Sequence, residues 1–142
     1  MKTNARNTVL AIAFLAAISS TPLRATQEGT ISDKEIKVVD FADLEYPALA
    51  RTAHIQGIVV VRANLDDKGK VVEAVAISGT DVLIPACLDN AKKWRFQPNP
   101  RKTVVIVYNF RMTSAVSKSG CSHFMLEAPN FATITSCVPE IR

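Results

Sequence analysis

The sequence predicts one small domain in which helices and β-strands share a common core. Its 142 residues amount to a single domain. Hydrophobic residues make up 48% of the chain and charged residues 21%, which is a globular balance and excludes disordered and collagen-like chains. Three stretches predict the core: a strand over 58–65, a helical stripe of apolar residues over 83–94 and a strand over 102–112.

Residues 1–25 have the three parts of a secretory signal peptide. Lys2 and Arg6 form the positive start, Val9 to Ile18 the uncharged apolar core, and the segment ends in the small residue Ala25. We expect cleavage after Ala25 and a periplasmic or secreted protein. As a helix the apolar core spans about 15 Å, whereas a bilayer core is about 30 Å thick. No stable membrane span is therefore expected after cleavage, and an uncleaved anchor is the competing interpretation.

The net charge argues against nucleic-acid binding. The whole chain has 17 Lys and Arg against 13 Asp and Glu, a net charge of +4. The leader holds three of these cations, Lys2, Arg6 and Arg24, and no acid, so the mature chain has 14 against 13, a net charge of +1. Binding to a phosphate backbone needs clustered cations in excess, and we expect no nucleic-acid partner.

A lead-in segment over 26–44 precedes a short helix and a hairpin. The segment from Ile36 to Leu44 is ambiguous, because its apolar residues suit a strand but alternate poorly. Pro47 fits the first position of a short helix, which Gly57 ends. Asp66 to Gly69 then connects two strands over 58–65 and 70–77.

The two strands of this hairpin differ in how clearly they show their inward face. On the first strand β-branched residues abound, and one face carries Val59, Val61, Ala63 and Leu65. On the return strand two inward faces remain possible, and a bulge would switch between them. The two sets are Val71, Val75 and Ile77, or Val72, Ala74 and Ala76.

The main helix is predicted over Val82 to Arg95, capped by Thr80 or Asp81. Its apolar stripe comprises Leu83, Cys87, Leu88, Ala91 and Trp94. Pro98 and Pro100 stop the helix. A third strand follows over Lys102 to Met112. Its apolar face carries Val104, Ile106, Tyr108, Phe110 and Met112, and its other face Val105, Val107, Asn109 and Arg111.

Residues 113–142 form a tail in which two short strands, 123–126 and 132–136, predict an extra β-hairpin. Export to an oxidising compartment makes one disulfide plausible. Cys121 and Cys137 share the tail, so we pair them across the base of the hairpin, which stabilises the fold by roughly 3 kcal/mol in the chain-entropy model. Cys87 lies in the helical stripe and is predicted to be a buried apolar residue.

No residue pattern predicts catalysis, a cofactor or a metal. Trp94 has the spacing of a core residue rather than of a ligand-stacking ring. His54 and His123 lack the close second pair that a zinc site with the cysteines needs. Asp66 and Asp67 suit a solvated hairpin turn. The serines lie in no nucleophile motif, and we expect a protein that is not an enzyme.

The order of these motifs resembles the TonB C-terminal domain family over residues 45–112. The resemblance implies an α+β domain: a three-stranded antiparallel sheet packed by one main helix and a short N-terminal helix, with the tail added as a C-terminal β-hairpin. The motifs that carry it are Tyr46-Pro47-x-x-Ala50, Gly57-x-Val59-x-Val61 with Gly69-x-Val71, Leu83 to Leu88, Trp94-Arg95-Phe96-x-Pro98 and the strand ending in Phe110.

The resemblance also implies a binding mode, in which the open edge of the last strand takes an extended segment of an outer-membrane receptor as an added strand. Here that partner-binding edge carries Val105, Val107, Asn109 and Arg111, and the family pattern places Arg51 near the bound segment. The alternative is an accessory envelope protein whose tail hairpin covers this edge, as sheet proteins commonly do. Edge-to-edge homodimers also suit such a sheet.

One departure from the family concerns reach. An energy transducer needs a membrane anchor and a long Pro-rich spacer, whereas about 20 residues, none of them Pro-rich, separate the leader from Tyr46. We therefore expect a standalone exported form that does not link two membranes.

Overall fold

A computed structural model of the chain describes residues 36–114 and 121–138. The predicted signal peptide and most of the lead-in segment lie outside these ranges. Within them, no helix is long and apolar enough to cross a membrane. In chain order the elements are β1 (Val38–Asp40), α1 (Ala48–Thr52), β2 (Gly57–Leu65), β3 (Val71–Ser78), α2 (Ile84–Ala91), β4 (Arg95–Phe96), β5 (Thr103–Thr113), β6 (Ser122–Ala128) and β7 (Phe131–Cys137).

The fold is α+β, as predicted, but the prediction of a three-stranded sheet is wrong. The main sheet has five strands in the order β3-β2-β5-β7-β6, and β1 and β4 form a separate pair. The predicted antiparallel trio β3-β2-β5 is present, and the tail hairpin extends it, because β7 pairs with β5 in parallel. The sheet is therefore mixed, and the tail belongs to it rather than lying apart.

The core lies between one face of the sheet and the two helices. The predicted inward residues of β2 are all buried, and so are Val104, Ile106, Tyr108 and Phe110 of β5. Trp94 is fully buried and contacts the Tyr108 ring edge-on, with ring centroids 6.1 Å apart. The hydrophobic register predicted for the three core segments is thus confirmed.

Two bulges set the phase of β3. Leu65 pairs with Val71 and Asn64 with Glu73, so Val72 is an extra residue on β3. Ile77 is extra in the same way, between the partners of Val60 and Val61. Each bulge turns an apolar side chain outward, and Val72 and Ile77 are 61% and 56% exposed. The inward face consequently starts with Val71 and continues with Ala74, which packs against the core.

The main helix is shorter than predicted. It covers Ile84–Ala91, and the Thr80 carbonyl accepts the first bonds, from the backbone N–H groups of Leu83 and Ile84. After a turn, Arg95–Phe96 is extended and pairs with β1. Phe96 is 1% exposed, and its N–H donates to the Gly69 carbonyl at 2.8 Å, so burial of this ring outweighs continuation of the helix.

The short helix α1 also ends earlier than predicted. Pro47 precedes its first residue, and the helix stops at Thr52 rather than continuing toward Gly57. His54 has a φ of 53°, which breaks the helical backbone three residues before Gly57.

A buried hydrogen-bond network fixes α2 against the sheet and the lead-in segment. Asn90 is 2% exposed, and its amide donates to the carbonyls of Ala42 and Asp43 at 2.9 and 3.0 Å. Its Oδ1 accepts bonds from Trp94 Nε1 at 2.8 Å and from the Tyr108 hydroxyl at 3.1 Å. Asn90 therefore uses both donors and both acceptor sites of its amide.

Candidate protein-binding edge

The predicted partner-binding edge on β5 is occupied within the chain. The backbone of Val107–Thr113 pairs with Phe131–Cys137 of β7. Farther along β5, the Asn130 side chain donates to the Val105 carbonyl at 3.0 Å. The tail thus covers the edge, which is the alternative that the sequence left open. Any role of these β5 residues in partner binding stays a prediction.

The structure does not bring Arg51 together with the other residues predicted at this edge. Arg51 is exposed on α1, whose Ala50 packs into the core on the helix side of the sheet. The side chains of Val105, Val107, Asn109 and Arg111 alternate with the buried residues of β5 and so lie on the opposite face.

The tail hairpin is a fixed part of the sheet. Ala132 and Ile134 of β7 are fully buried in the same core as Phe110 of β5. The predicted disulfide between Cys121 and Cys137 is present, with the two Cα atoms 4.9 Å apart. Burial of an isoleucine side chain alone is worth about 1.5–3 kcal/mol, so exposing β5 by releasing the hairpin is costly.

Of the two outer strands of the sheet, β3 is poorly suited to pair with another chain. Its bulges at Val72 and Ile77 interrupt the regular spacing of backbone groups. Glu73 also carries an exposed charge and accepts a hydrogen bond from Asn64 at 2.6 Å. Bulges and charges are the usual means by which an edge strand avoids pairing.

The other outer strand, β6, presents a regular edge. Ser122 to Leu126 pair with β7 without interruption, and the bulge at Glu127 comes only beside the turn. The Cys137 N–H donates to the Cys121 carbonyl at 2.8 Å, which sets the alternation of the antiparallel ladder. The backbone N–H and C=O groups of Ser122, Phe124 and Leu126 therefore point away from β7, toward the open side.

Apolar side chains flank this open edge on the helix side of the sheet. Phe124 and Leu126 are partly buried against the core. The ring of Phe41, from the lead-in segment, stacks on Phe124 with centroids 5.9 Å apart and lies equally far from Trp94. Phe41 is still 42% exposed, and so offers apolar surface to a strand placed beside β6.

The titratable groups with shifted pKa values lie away from this edge and serve the fold. Burial raises the pKa of Tyr108 and that of Cys87, the latter to about 12. Near the β2–β3 turn, the Lys102 ammonium lowers the pKa of Asp67, with which it pairs at 2.6 Å. In the described part of the chain, no three His, Cys, Asp or Glu side chains cluster in a way that could hold a metal ion.

The family described as the Gram-negative bacterial TonB protein C-terminal matches residues 42–112, which is half of the chain. The chain belongs to this TonB C-terminal family. No curated protein shows a significant sequence match to the chain.

Membership of the TonB C-terminal family gives the chain a periplasmic type of domain with a protein-binding role related to envelope transport. The match runs from the lead-in segment through α1 to β5 and ends at Met112, before the hairpin begins. Both strands of the tail, and hence the open edge on β6, lie outside it. Sequence reasoning found the hairpin but missed this edge, because periodicity does not say which strand β7 will join.

Proposed function

We propose that this protein is an exported, non-enzymatic binding domain of the periplasm that takes an extended segment of another protein as an added strand on β6. An outer-membrane receptor is the partner that family membership favours. The observation that carries the proposal is the regular run Ser122 to Leu126, with the backbone groups of three residues directed outward. Such an edge supplies affinity through main-chain hydrogen bonds.

Energetics favour β6 over β5 as the accepting strand. A strand added to β6 pairs with groups that have no partner strand in the described residues. A strand added to β5 must first expel β7, which takes Ile134 out of the core and breaks the β5–β7 ladder. Each hydrogen bond contributes about 0.5–1.5 kcal/mol net. A strand added to β5 would therefore at best replace the hydrogen bonds that β7 loses when it is expelled.

The flanks of β6 suggest the character of the bound segment. Alternate side chains of an added strand lie on opposite faces of the sheet. Those on the helix side would meet Phe41 and Phe124, and those on the other side would lie beside His123 and Met125. We therefore expect a segment that alternates apolar residues with polar ones.

Peptide binding to the full mature chain tests this proposal. The probes are ten-residue peptides that alternate valine with serine or threonine, and periplasmic N-terminal segments of outer-membrane receptors. Hydrogen exchange followed by NMR should show protection of the Ser122, Phe124 and Leu126 amides on binding. Ser122→Pro removes an outward N–H and should weaken binding about tenfold, whereas the matched Ser122→Ala keeps that N–H and should bind normally.

The proposal is wrong if peptides bind equally well to the Ser122→Pro and Ser122→Ala variants, or if the protected amides belong to β5. A homodimer through paired β6 strands is the competing use of the same edge. Sedimentation of the protein without peptide would then show dimers, and the Ser122→Pro variant would not form them.

The covering of β5 supports a second candidate, an accessory envelope protein that engages no receptor. Removal of the chain from Cys121 onward separates the two functions. Gain of peptide binding by a folded truncated protein would indicate that the tail masks a working edge on β5. Unfolding would indicate a structural tail, which the burial of Ile134 leads us to expect.

A further inference from the structure

The sheet face opposite the helices carries a groove of about 400 Å³ over β5, β7 and β6. The strand registers explain it. Arg111 of β5 and His123 of β6 both pair with Thr135 of β7, so these three side chains form one row across the sheet. The short Thr135 lies between two longer side chains and leaves space above it.

An unsatisfied polar group lies in the same groove. Thr133 is two positions from Thr135 on β7 and lines the groove, yet it is only 7% exposed. Its hydroxyl has no hydrogen-bond partner among the described residues. A buried hydroxyl without a partner is costly. Rotation of the Thr133 side chain toward the groove that this residue lines would let a bound group supply that partner.

The charges of the groove define what it can hold. The guanidinium of Arg111 has no ion pair within residues 36–114 and 121–138. Its donors, with those of Thr133 and Thr135, call for a ligand that accepts hydrogen bonds. Glu127 also lines the groove and disfavours a ligand with two negative charges.

We propose that this groove is a binding site for a carboxylate group. A carboxylate is planar, carries a single charge and matches the fork of the Arg111 guanidinium. The threonine hydroxyls complete its hydrogen bonds, and Met125 borders the site with apolar surface. The site faces away from the helices and uses side chains rather than the backbone edge of β6, so it does not depend on strand addition.

The carboxylate has two possible sources, a free small molecule or Glu140 of this chain, two residues beyond Val138. Val138 donates its N–H to the carbonyl of Thr113, which also lines the groove. The Glu140→Gln variant distinguishes the sources. Tighter binding of added acetate by this variant would identify Glu140 as the occupant, and unchanged binding would identify an external carboxylate.

NMR titration of the full mature chain with sodium acetate, at constant ionic strength, tests the site. We expect saturable shifts at the Arg111 side-chain N–H and at the Thr133 and Thr135 amides. Arg111→Gln should weaken acetate binding at least about tenfold, because it removes a charge-assisted hydrogen-bonding group. Arg62→Gln is the matched control, since Arg62 of β2 is an exposed arginine on the same sheet face as Arg111, the face opposite the helices.

Thr133→Val keeps the protein testable, because an apolar isostere at an unpaired hydroxyl is neutral or stabilising. It should weaken acetate binding several-fold while leaving thermal unfolding unchanged or raised. The site is refuted if acetate causes no saturable NMR shifts in either the parent chain or the Glu140→Gln variant. It is also refuted if the same shifts persist fully in the Arg111→Gln variant. Tighter binding of inorganic phosphate than of acetate would overturn its assignment to carboxylates.

Discussion

Replacement of Asn90 by leucine tests the network that joins α2, the lead-in segment and the sheet. The change keeps the branched shape and the number of side-chain heavy atoms but leaves the Trp94 indole N–H and the Tyr108 hydroxyl without their shared acceptor. Each buried group left unpaired costs about 1–3 kcal/mol. The carbonyls that Asn90 holds are only partly buried and can turn to water. We therefore expect a loss of about 4 kcal/mol, a large share of the 5–15 kcal/mol typical of a domain.

Urea unfolding followed by Trp94 fluorescence measures this loss, because Trp94 is the chain's single tryptophan and is fully buried. Asn64→Leu is the matched control. The Asn64 amide donates to the exposed Glu73 carboxylate and accepts from the Thr103 hydroxyl, which also reaches the Ala63 carbonyl. The control therefore leaves no buried donor without an acceptor and should cost less than about 1 kcal/mol.

A double variant decides whether the loss arises from the orphaned groups. Tyr108→Phe removes one of them and should cost less in the Asn90→Leu background than in the parent chain. A loss below about 1 kcal/mol for Asn90→Leu, or strictly additive effects of the two changes, would refute the network as the source of stability.

Two further predictions concern a turn and a buried thiol. Gly69→Ala places a Cβ at a φ of +78° and against the backbone carbonyl of Phe96, so we expect a loss of at least about 2 kcal/mol in urea unfolding. A loss below about 1 kcal/mol would exclude this clash. Burial raises the pKa of Cys87 from 9.0 to about 12, so the folded protein binds this proton more tightly. Its contribution to the free energy of unfolding is complete below pH 9 and falls as the pH rises toward 12. Iodoacetamide at pH 8 should modify Cys87 only when urea unfolds the protein. Rapid labelling of Cys87 in the folded chain would contradict its burial.

Residue patterns were sufficient to predict the central part of the fold. On β2 the polar residues Arg62 and Asn64 mark the outward face, and on β5 Asn109 and Arg111 do the same. Burial of Val59 and Tyr108 on the other faces follows from the period of two. The helical stripe likewise predicted that Trp94 and Cys87 are buried. At these positions local preference and tertiary packing agree, so one sequence signal determines the outcome.

Where the prediction differed from the structure, tertiary contacts decided. Nothing local says that the helix ends at Ala91 and that Arg95–Phe96 pairs with β1, since the partner Val38 lies far away in the chain. Asn90 lies next to the apolar stripe of α2, and only the approach of Ala42 and Tyr108 turns its amide into a network. The bulges of β3 were foreseen as a possibility, but their positions depend on the register with β2.

The tail moves the open edge of this chain away from the part that matches the TonB C-terminal family. The edge that the TonB family resemblance implies to be open lies on β5, and here β7 fills it. The edge proposed for binding is built instead from β6 and flanked by Phe41, and both lie outside the residues 42–112 that match the family. Strand addition depends on the backbone and transfers between relatives, but selection of a partner depends on the flanking side chains. The sequence of the segment that binds should therefore be selected by Phe41, Phe124 and Met125 of this chain, even where the class of partner is the one that family membership favours.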